Sequence, residues 1–189
     1  MRKCNIVQKI GIVLILCGLM IVAVSRCQAI LAVKQMQRAV EEIQRILPPT
    51  TPGVTDQYSS MEMPTLQIHG KDYIGLIEIP AFGITLPIGS AWSSLRAGVC
   101  PCRFYGSVYD GSLVIGGTDG SGGFDFLERL QIGDAVEVTD MTGAQFRYRV
   151  SWIQRAKSAD LDVLVREDSQ LTLYARDQFS LEYVIVFCE

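Results

Sequence analysis

Six cysteines and a single histidine are the residues of this 189-residue chain that could carry nucleophilic, proton-transfer or metal chemistry. A cysteine attacks carbonyls or binds metal as its thiolate, and an imidazole moves protons near neutral pH. Cys4, Cys17 and Cys27 lie in or beside an apolar N-terminal run, whereas Cys100, Cys102 and Cys188 lie far downstream. Cys100 and Cys102 flank Pro101, no second close pair accompanies them, and His69 is the only imidazole, so the ligand set of a zinc site is not assembled. The glycine-rich stretch 116–123 could cradle an anion on its backbone amides, and Asp119 with Asp125 could contribute to a calcium site. It lacks the Lys-Ser/Thr that completes a P-loop, and its aspartates are spaced unlike an EF-hand. The stretch reads as a mobile loop at the rim of a cleft, and no metal or cofactor is expected. Cys188 reads as a buried strand cysteine or as a disulfide partner of Cys100 or Cys102, and His69 as a surface or hinge histidine.

The elements that would position these residues are clearest over 112–150. Residues 112–117 form a short apolar run ending in glycines, a buried strand leading into a loop that needs unusual backbone angles. Phe124, Leu127 and Leu130 follow at helical spacing, and Gly133-Asp134 stops that turn. From Ala135 the period becomes two, with Val136 and Val138 facing away from Ala135, Glu137 and Thr139. Asp140 to Gly143 is turn chemistry, and Phe146, Tyr148, Val150 and Trp152 then alternate with Gln145, Arg147, Arg149 and Ser151. Further strands are predicted at 73–79, 84–88, 161–165, 170–175 and 181–188, with a short helical turn around Trp92 and Leu95. Short strands separated by turn signals, with hardly any helix, predict a mainly β fold. Its expected form is a closed or partly closed antiparallel barrel of about eight strands with short helical turns.

Upstream, residues 10–25 carry no charge and follow Arg2, Lys3 and Lys9. A spanning helix needs roughly 20 residues, which 6–24 supply if Lys9 snorkels to the headgroups. A membrane anchor over 1–27 with a cytoplasmic N-terminus is expected, a cleaved signal peptide ending at Ala23-Val24-Ser25 being the alternative. Met36, Val40, Ile43 and Leu47 continue at helical spacing as a juxtamembrane stalk over 28–47, packed on the chain's own domain or the membrane surface. Pro48-Pro49 ends it. Residues 48–65 read as a flexible linker and 66–189 as an extracytoplasmic domain, so the whole is a single-pass cell-membrane protein. With 17 Lys and Arg against 20 Asp and Glu, the net charge of −3 offers no basic excess for a nucleic-acid partner.

Taken in order, YIGLIEIP, ITLPI, PCRFYGS, the whole 113–150 segment, LTLYAR and EYVIVFC resemble the sortase family. These are membrane-anchored cysteine transpeptidases of Gram-positive cell surfaces, and the likeness is greatest to class B-like members over about 73–188. The resemblance implies a sortase-like β-barrel and three catalytic positions. The family histidine follows Ala/Gly-Gly, where this chain has Gly116-Gly117-Thr118. The nucleophilic cysteine ends a Thr-Leu-x-Thr-Cys pattern, which here reads Thr172-Leu173-Tyr174-Ala175-Arg176. The arginine opens the last strand, which places Tyr183 there, with Glu182 one residue off. Thr118 thus stands for His, Arg176 for Cys and Tyr183 for Arg, and none of the three chemistries is retained. The expectation is an inactive transpeptidase homologue that binds a sorting-signal peptide, a pilin-like surface protein or another sortase. The alternatives are an active enzyme with a relocated thiol, Cys188 or Cys102, and a purely structural envelope protein.

Overall fold

The computed structural model describes residues 2–53, 62–93, 99–118, 123–177 and 182–189. Helix α1 (Arg2–Ile46) is unbroken through the expected anchor and stalk, about 68 Å at 1.5 Å rise per residue. Among the described residues it is the one helix long and apolar enough to cross a membrane. Its far end behaves differently from its start. Met36, Ala39 and Ile43 are buried, and Val40 and Leu47 pack against the same core. The stalk stripe is therefore a docking face for the chain's own domain.

Among the described residues ten strands follow: β1 (Thr51–Pro52), β2 (Leu66–Ile68), β3 (Lys71–Ile79), β4 (Ile84–Gly89), β5 (Cys102–Tyr105), β6 (Leu113–Thr118), β7 (Ala135–Asp140), β8 (Ala144–Ala156), β9 (Leu171–Arg176) and β10 (Tyr183–Cys188). Eight of them close a ring in the order β3-β4-β5-β6-β9-β10-β8-β7, with β7 pairing back onto β3. Helix α1 lies against β4 and β3 of that ring. Closure removes the open edges that would otherwise recruit other chains. Most seams are antiparallel, but β4 with β5 and β6 with β9 pair in parallel. The chain between β6 and β9 is long enough to return to the same end of the barrel, which antiparallel hairpin logic does not anticipate.

The 135–150 hairpin forms as its alternation predicts, with Val136, Val138, Phe146, Tyr148 and Val150 in the interior. Gly143 turns it at φ 83°, a conformation open to glycine. Buried Asp140 fixes the register. Its Oδ1 accepts from Thr142 N at 2.8 Å, Thr142 Oγ1 at 2.7 Å and Ala144 N at 3.0 Å, and its Oδ2 accepts from Tyr109 O–H at 2.5 Å.

Four expectations need correcting or limiting. Trp152 is exposed because β8 bulges: Val150 pairs with Cys188 and Trp152 with Phe187, leaving Ser151 as the extra residue and flipping the alternation. The predicted strand at 161–165 is a helix, α2 (Leu161–Leu164), whose Leu164 is buried against the outside of the sheet. Within the predicted linker, Thr51 and Pro52 pair with Ala144 and Gln145 as β1, while 54–61 lie outside the described residues. The turn expected around Trp92 and Leu95 also falls largely outside them, at 94–98.

Candidate functional site

Three strand ends meet at the site. Thr118 at the end of β6 lies opposite Arg176 at the end of β9, and Arg176 lies opposite Tyr183 at the start of β10. Residues directly opposed across a ladder project from the same face, and neighbouring strands lie about 4.8 Å apart. Thr118, Arg176 and Tyr183 therefore form one row about 10 Å long on the outer face of the barrel. Glu182 falls outside it; its carbonyl instead accepts from Asp177 N at 2.8 Å, closing the β9–β10 connection.

Two residues along the strands the next row is Gly116, Tyr174 and Ile185. Here aromatic rings build a floor. Tyr174 lies 5.6 Å from Trp92, 5.5 Å from Phe104 and 6.3 Å from Tyr183, ring centre to ring centre, and Trp92 meets Phe104 edge-on at 5.7 Å. Leu164, Ile185 and Phe187 continue this cluster outside the barrel, so α2 packs beside the rings. Burial, and secondarily Tyr183 and Cys102, push the Tyr174 phenol above its usual range, so it stays a neutral O–H.

The paired glycines have a packing reason in place of the expected turn reason. Neither Gly116 nor Gly117 has a positive φ. A Cβ on Gly116 would lie 2.5 Å from both Trp92 and Tyr174, and one on Gly117 2.7 Å from Phe124. The end of β6 is thinned so that rings can lie on it from both faces. Of the glycine-rich stretch beyond it, 119–122 lie outside the described residues, Asp119 among them, and no metal-binding cluster occurs among the described ones.

The charges near the row are distributed unevenly. Asp177 is 9% exposed and binds Arg155 Nη1 at 3.3 Å, while Arg155 Nη2 binds Glu128 at 2.8 Å. Arg176 is exposed and has no ion pair among the described residues.

The remaining candidate residues lie elsewhere. Cys188 is a free thiol, fully buried in register with Leu171 at the opposite end of β10 from Tyr183. Burial pushes it up to about 12, so it is a neutral thiol at physiological pH, and its disulfide to Cys100 or Cys102 is not formed. Cys102 is nearer, in register with Gly116, but 0% exposed, its thiol donating to the Cys100 carbonyl at 3.4 Å. His69 sits on the β2–β3 turn with Nε2 3.3 Å from Glu42 of α1, four strands round the sheet from β6. No thiol or imidazole among the described residues reaches the row.

Sequence reasoning found the row through the family resemblance and missed the aromatic floor. The available signal was the tight Gly116-Gly117 pair together with Tyr174 and Tyr183 on same-face positions of neighbouring strands.

A family model described as Sortase domain matches residues 77–188. Among solved structures the chain is similar to a Clostridium perfringens sortase D5 transpeptidase, with 23% identity over 62% of this chain and 78% of that one, TM-score 0.54. Sortase C1 from Streptococcus agalactiae is similar at 22% identity over 70% and 72%, TM-score 0.54. Listeria monocytogenes sortase A is similar at 16% identity over 62% and 86%, TM-score 0.51. No curated protein matches by sequence. At these identities the structural likeness establishes the fold and does not assign a class.

Proposed function

The chain belongs to the sortase family, and from that membership we propose that it is a membrane-anchored protein of the Gram-positive cell surface whose cleft binds without turning over. Its partner is a sorting-signal peptide, a pilin-like surface protein or an active sortase. One observation carries this reading: the row Thr118, Arg176, Tyr183 at the meeting of three strand ends holds no thiol and no imidazole. Transpeptidation by this fold needs a thiolate to attack the peptide carbonyl, an acid to protonate the leaving amine and a cation to stabilise the oxyanion. A guanidinium stays protonated and cannot attack, and a threonine hydroxyl does no acid–base work near neutral pH. Loss of one member of such a unit already removes nearly all of the rate. The outer face beside the row nevertheless presents Trp92, 36% exposed over the buried Tyr174, as an apolar surface for an extended peptide.

A working enzyme with a relocated thiol draws on one observation, the register of Cys102 with Gly116. Complete burial beside its own Cys100 carbonyl speaks against it. The test is titration of the full chain in detergent with sorting-signal-type peptides, read by the emission of Trp92 in a Trp152→Phe background. Saturable change at micromolar peptide supports the binding reading; no change with any peptide leaves the purely structural alternative. Alkylation at neutral pH separates the enzyme reading, which requires a fast-labelling thiol among Cys100, Cys102 and Cys188.

A further inference from the structure

Between the far end of α1 and the turn joining β2 to β3 lies a cavity of about 260 Å³. Ala39 and Ile68 form its apolar back, Gln35, Arg38, His69 and Lys71 bring N–H donors to it, and no carboxylate is among its lining residues. In a chain with a net charge of −3 this is a local reversal of sign. Glu42, one helical turn on from Arg38, is engaged by His69 Nε2 at 3.3 Å, and Asp72 accepts from Gln67 Nε2 at 3.2 Å. Arg38 and Lys71 have no ion pair among the described residues. The turn adds a second sign. His69, at φ 47°, is the one non-glycine with positive φ among the described residues, and Gly70 follows at φ 73°. A two-residue hairpin turn of this kind favours Asn-Gly, so a histidine stands where turn chemistry alone would place asparagine, and its ring reaches across to α1.

We propose that this cavity binds the phosphate of an anionic lipid headgroup, with Arg38 and Lys71 as its charged donors and Gln35 and His69 at its sides. The inference rests on the reading of α1 as a membrane anchor and is independent of the peptide reading. Placement argues for a lipid over a dissolved phosphate. Ile30, Leu31 and Val33 are exposed, so the chain's own domain leaves them uncovered; the boundary between acyl chains and headgroups is the surface that covers such a stretch. Arg26 and Lys34, which flank it, carry their charges to the headgroups on long apolar stems. Arg38 lies about 7.5 Å beyond Val33 along α1 at 1.5 Å per residue, and one headgroup layer is about 5–7.5 Å deep. The cavity therefore opens at the level of the lipid phosphates. A guanidinium offers two phosphate oxygens a planar fork, and an ammonium adds a point charge. The volume lies below the roughly 300–1,000 Å³ of pockets for drug-sized ligands, so it takes a headgroup and leaves the acyl chains outside, along α1.

The experiment is native mass spectrometry of the full chain released from detergent micelles, titrated with phosphatidylglycerol or with phosphatidylcholine of identical acyl chains. The one-lipid complex with phosphatidylglycerol is expected to be at least about tenfold tighter. Arg38→Gln and Lys71→Gln should each cost about fivefold, the scale of one basic side chain at an anionic surface, and together they should remove the preference. Lys34→Gln, nearer the membrane and outside the cavity, should leave the preference in place. An unchanged thermal transition checks that the variants are folded. Equal affinity for the two lipids, a preference that survives the double variant, or an equal loss in Lys34→Gln overturns the cavity as the site. Glycerol phosphate in solution should displace the lipid only in large excess; displacement at the lipid's own concentration overturns the lipid as occupant in favour of a free phosphate ester. Alkaline carbonate washing of membranes reports on the anchor separately. A chain released to the supernatant overturns the membrane reading and the inference together, whereas a retained chain with no headgroup preference overturns the inference alone.

Discussion

Gly116→Ala tests whether the cleft floor is as tight as its geometry states. The new methyl carbon would sit 2.5 Å from Trp92 Cζ3 and from Tyr174 Cζ, and 2.6 Å from Tyr174 Cε1. Ordinary carbon contacts lie at about 3.5–4.0 Å, so one or both rings must move by about 1 Å. Tyr174 is 3% exposed and held between Phe104 and Tyr183, whereas Trp92 is 36% exposed. Both rings must therefore give way, the exposed indole more freely than the buried phenol. Overpacking of this kind costs about 1–3 kcal/mol, which for a chain of this size is roughly a 2–12 °C fall in Tm. The assay is thermal unfolding of the full chain in detergent, with Trp92 emission recorded in the Trp152→Phe background. The expected result is a lowered Tm with a red shift as the indole swings toward water. Tyr174→Leu removes the two phenol-ring atoms and should make the same Gly116→Ala step markedly cheaper, a non-additivity that distant sites do not show. A Gly116→Ala variant within about 0.5 kcal/mol of the parent, with unchanged emission, would refute the packing argument and the floor built on it.

Two further outcomes follow from the fold. Ile43 of α1 is 0% exposed against the domain, so Ile43→Ala should lower stability by about 2–5 kcal/mol. Ile15→Ala in the exposed apolar stretch of α1 should not, and equal effects in urea unfolding would contradict docking of the helix end. Stability should also fall in alkali. Burial holds Cys188 up to about 12 and raises the Tyr148 phenol, so the native state keeps protons that an unfolded cysteine begins to lose near pH 8.5. The unfolded state then binds fewer protons, and stability declines as pH rises through this window toward 12, by about 2–3 kcal/mol at pH 10.5 from the cysteine alone. Urea midpoints that stay level from pH 7 to 10.5, or an unaltered decline in Cys188→Ala, would contradict it.

The hairpin 135–150 was legible because local rules agree there: period-two alternation, a glycine at positive φ, and an aspartate that bonds the turn backbone. Ser151 shows where that reading stops. A bulge is a single extra residue whose only cause is the partner strand, so Trp152 was assigned the wrong face. Residues 161–165 failed for another reason, since a run of four or five apolar positions fits a strand or a helical turn equally, and packing of Leu164 on the outer cluster decided for the helix. The parallel seam of β6 and β9 joins residues more than fifty positions apart and left no local trace. The candidate site depends on that seam. Thr118, Arg176 and Tyr183 could be named from motif order, but their alignment in one row is a property of the closed barrel.

On the proposed function this protein holds peptide and leaves it intact. The most direct measurement is intact mass spectrometry of the full chain and of a sorting-signal-type peptide after long incubation at a concentration that saturates binding. The expected result is an unmodified protein and an uncut peptide. A cleaved or transferred peptide, or an acyl adduct on Cys102 or Cys188 that disappears when that cysteine is replaced, would contradict the account.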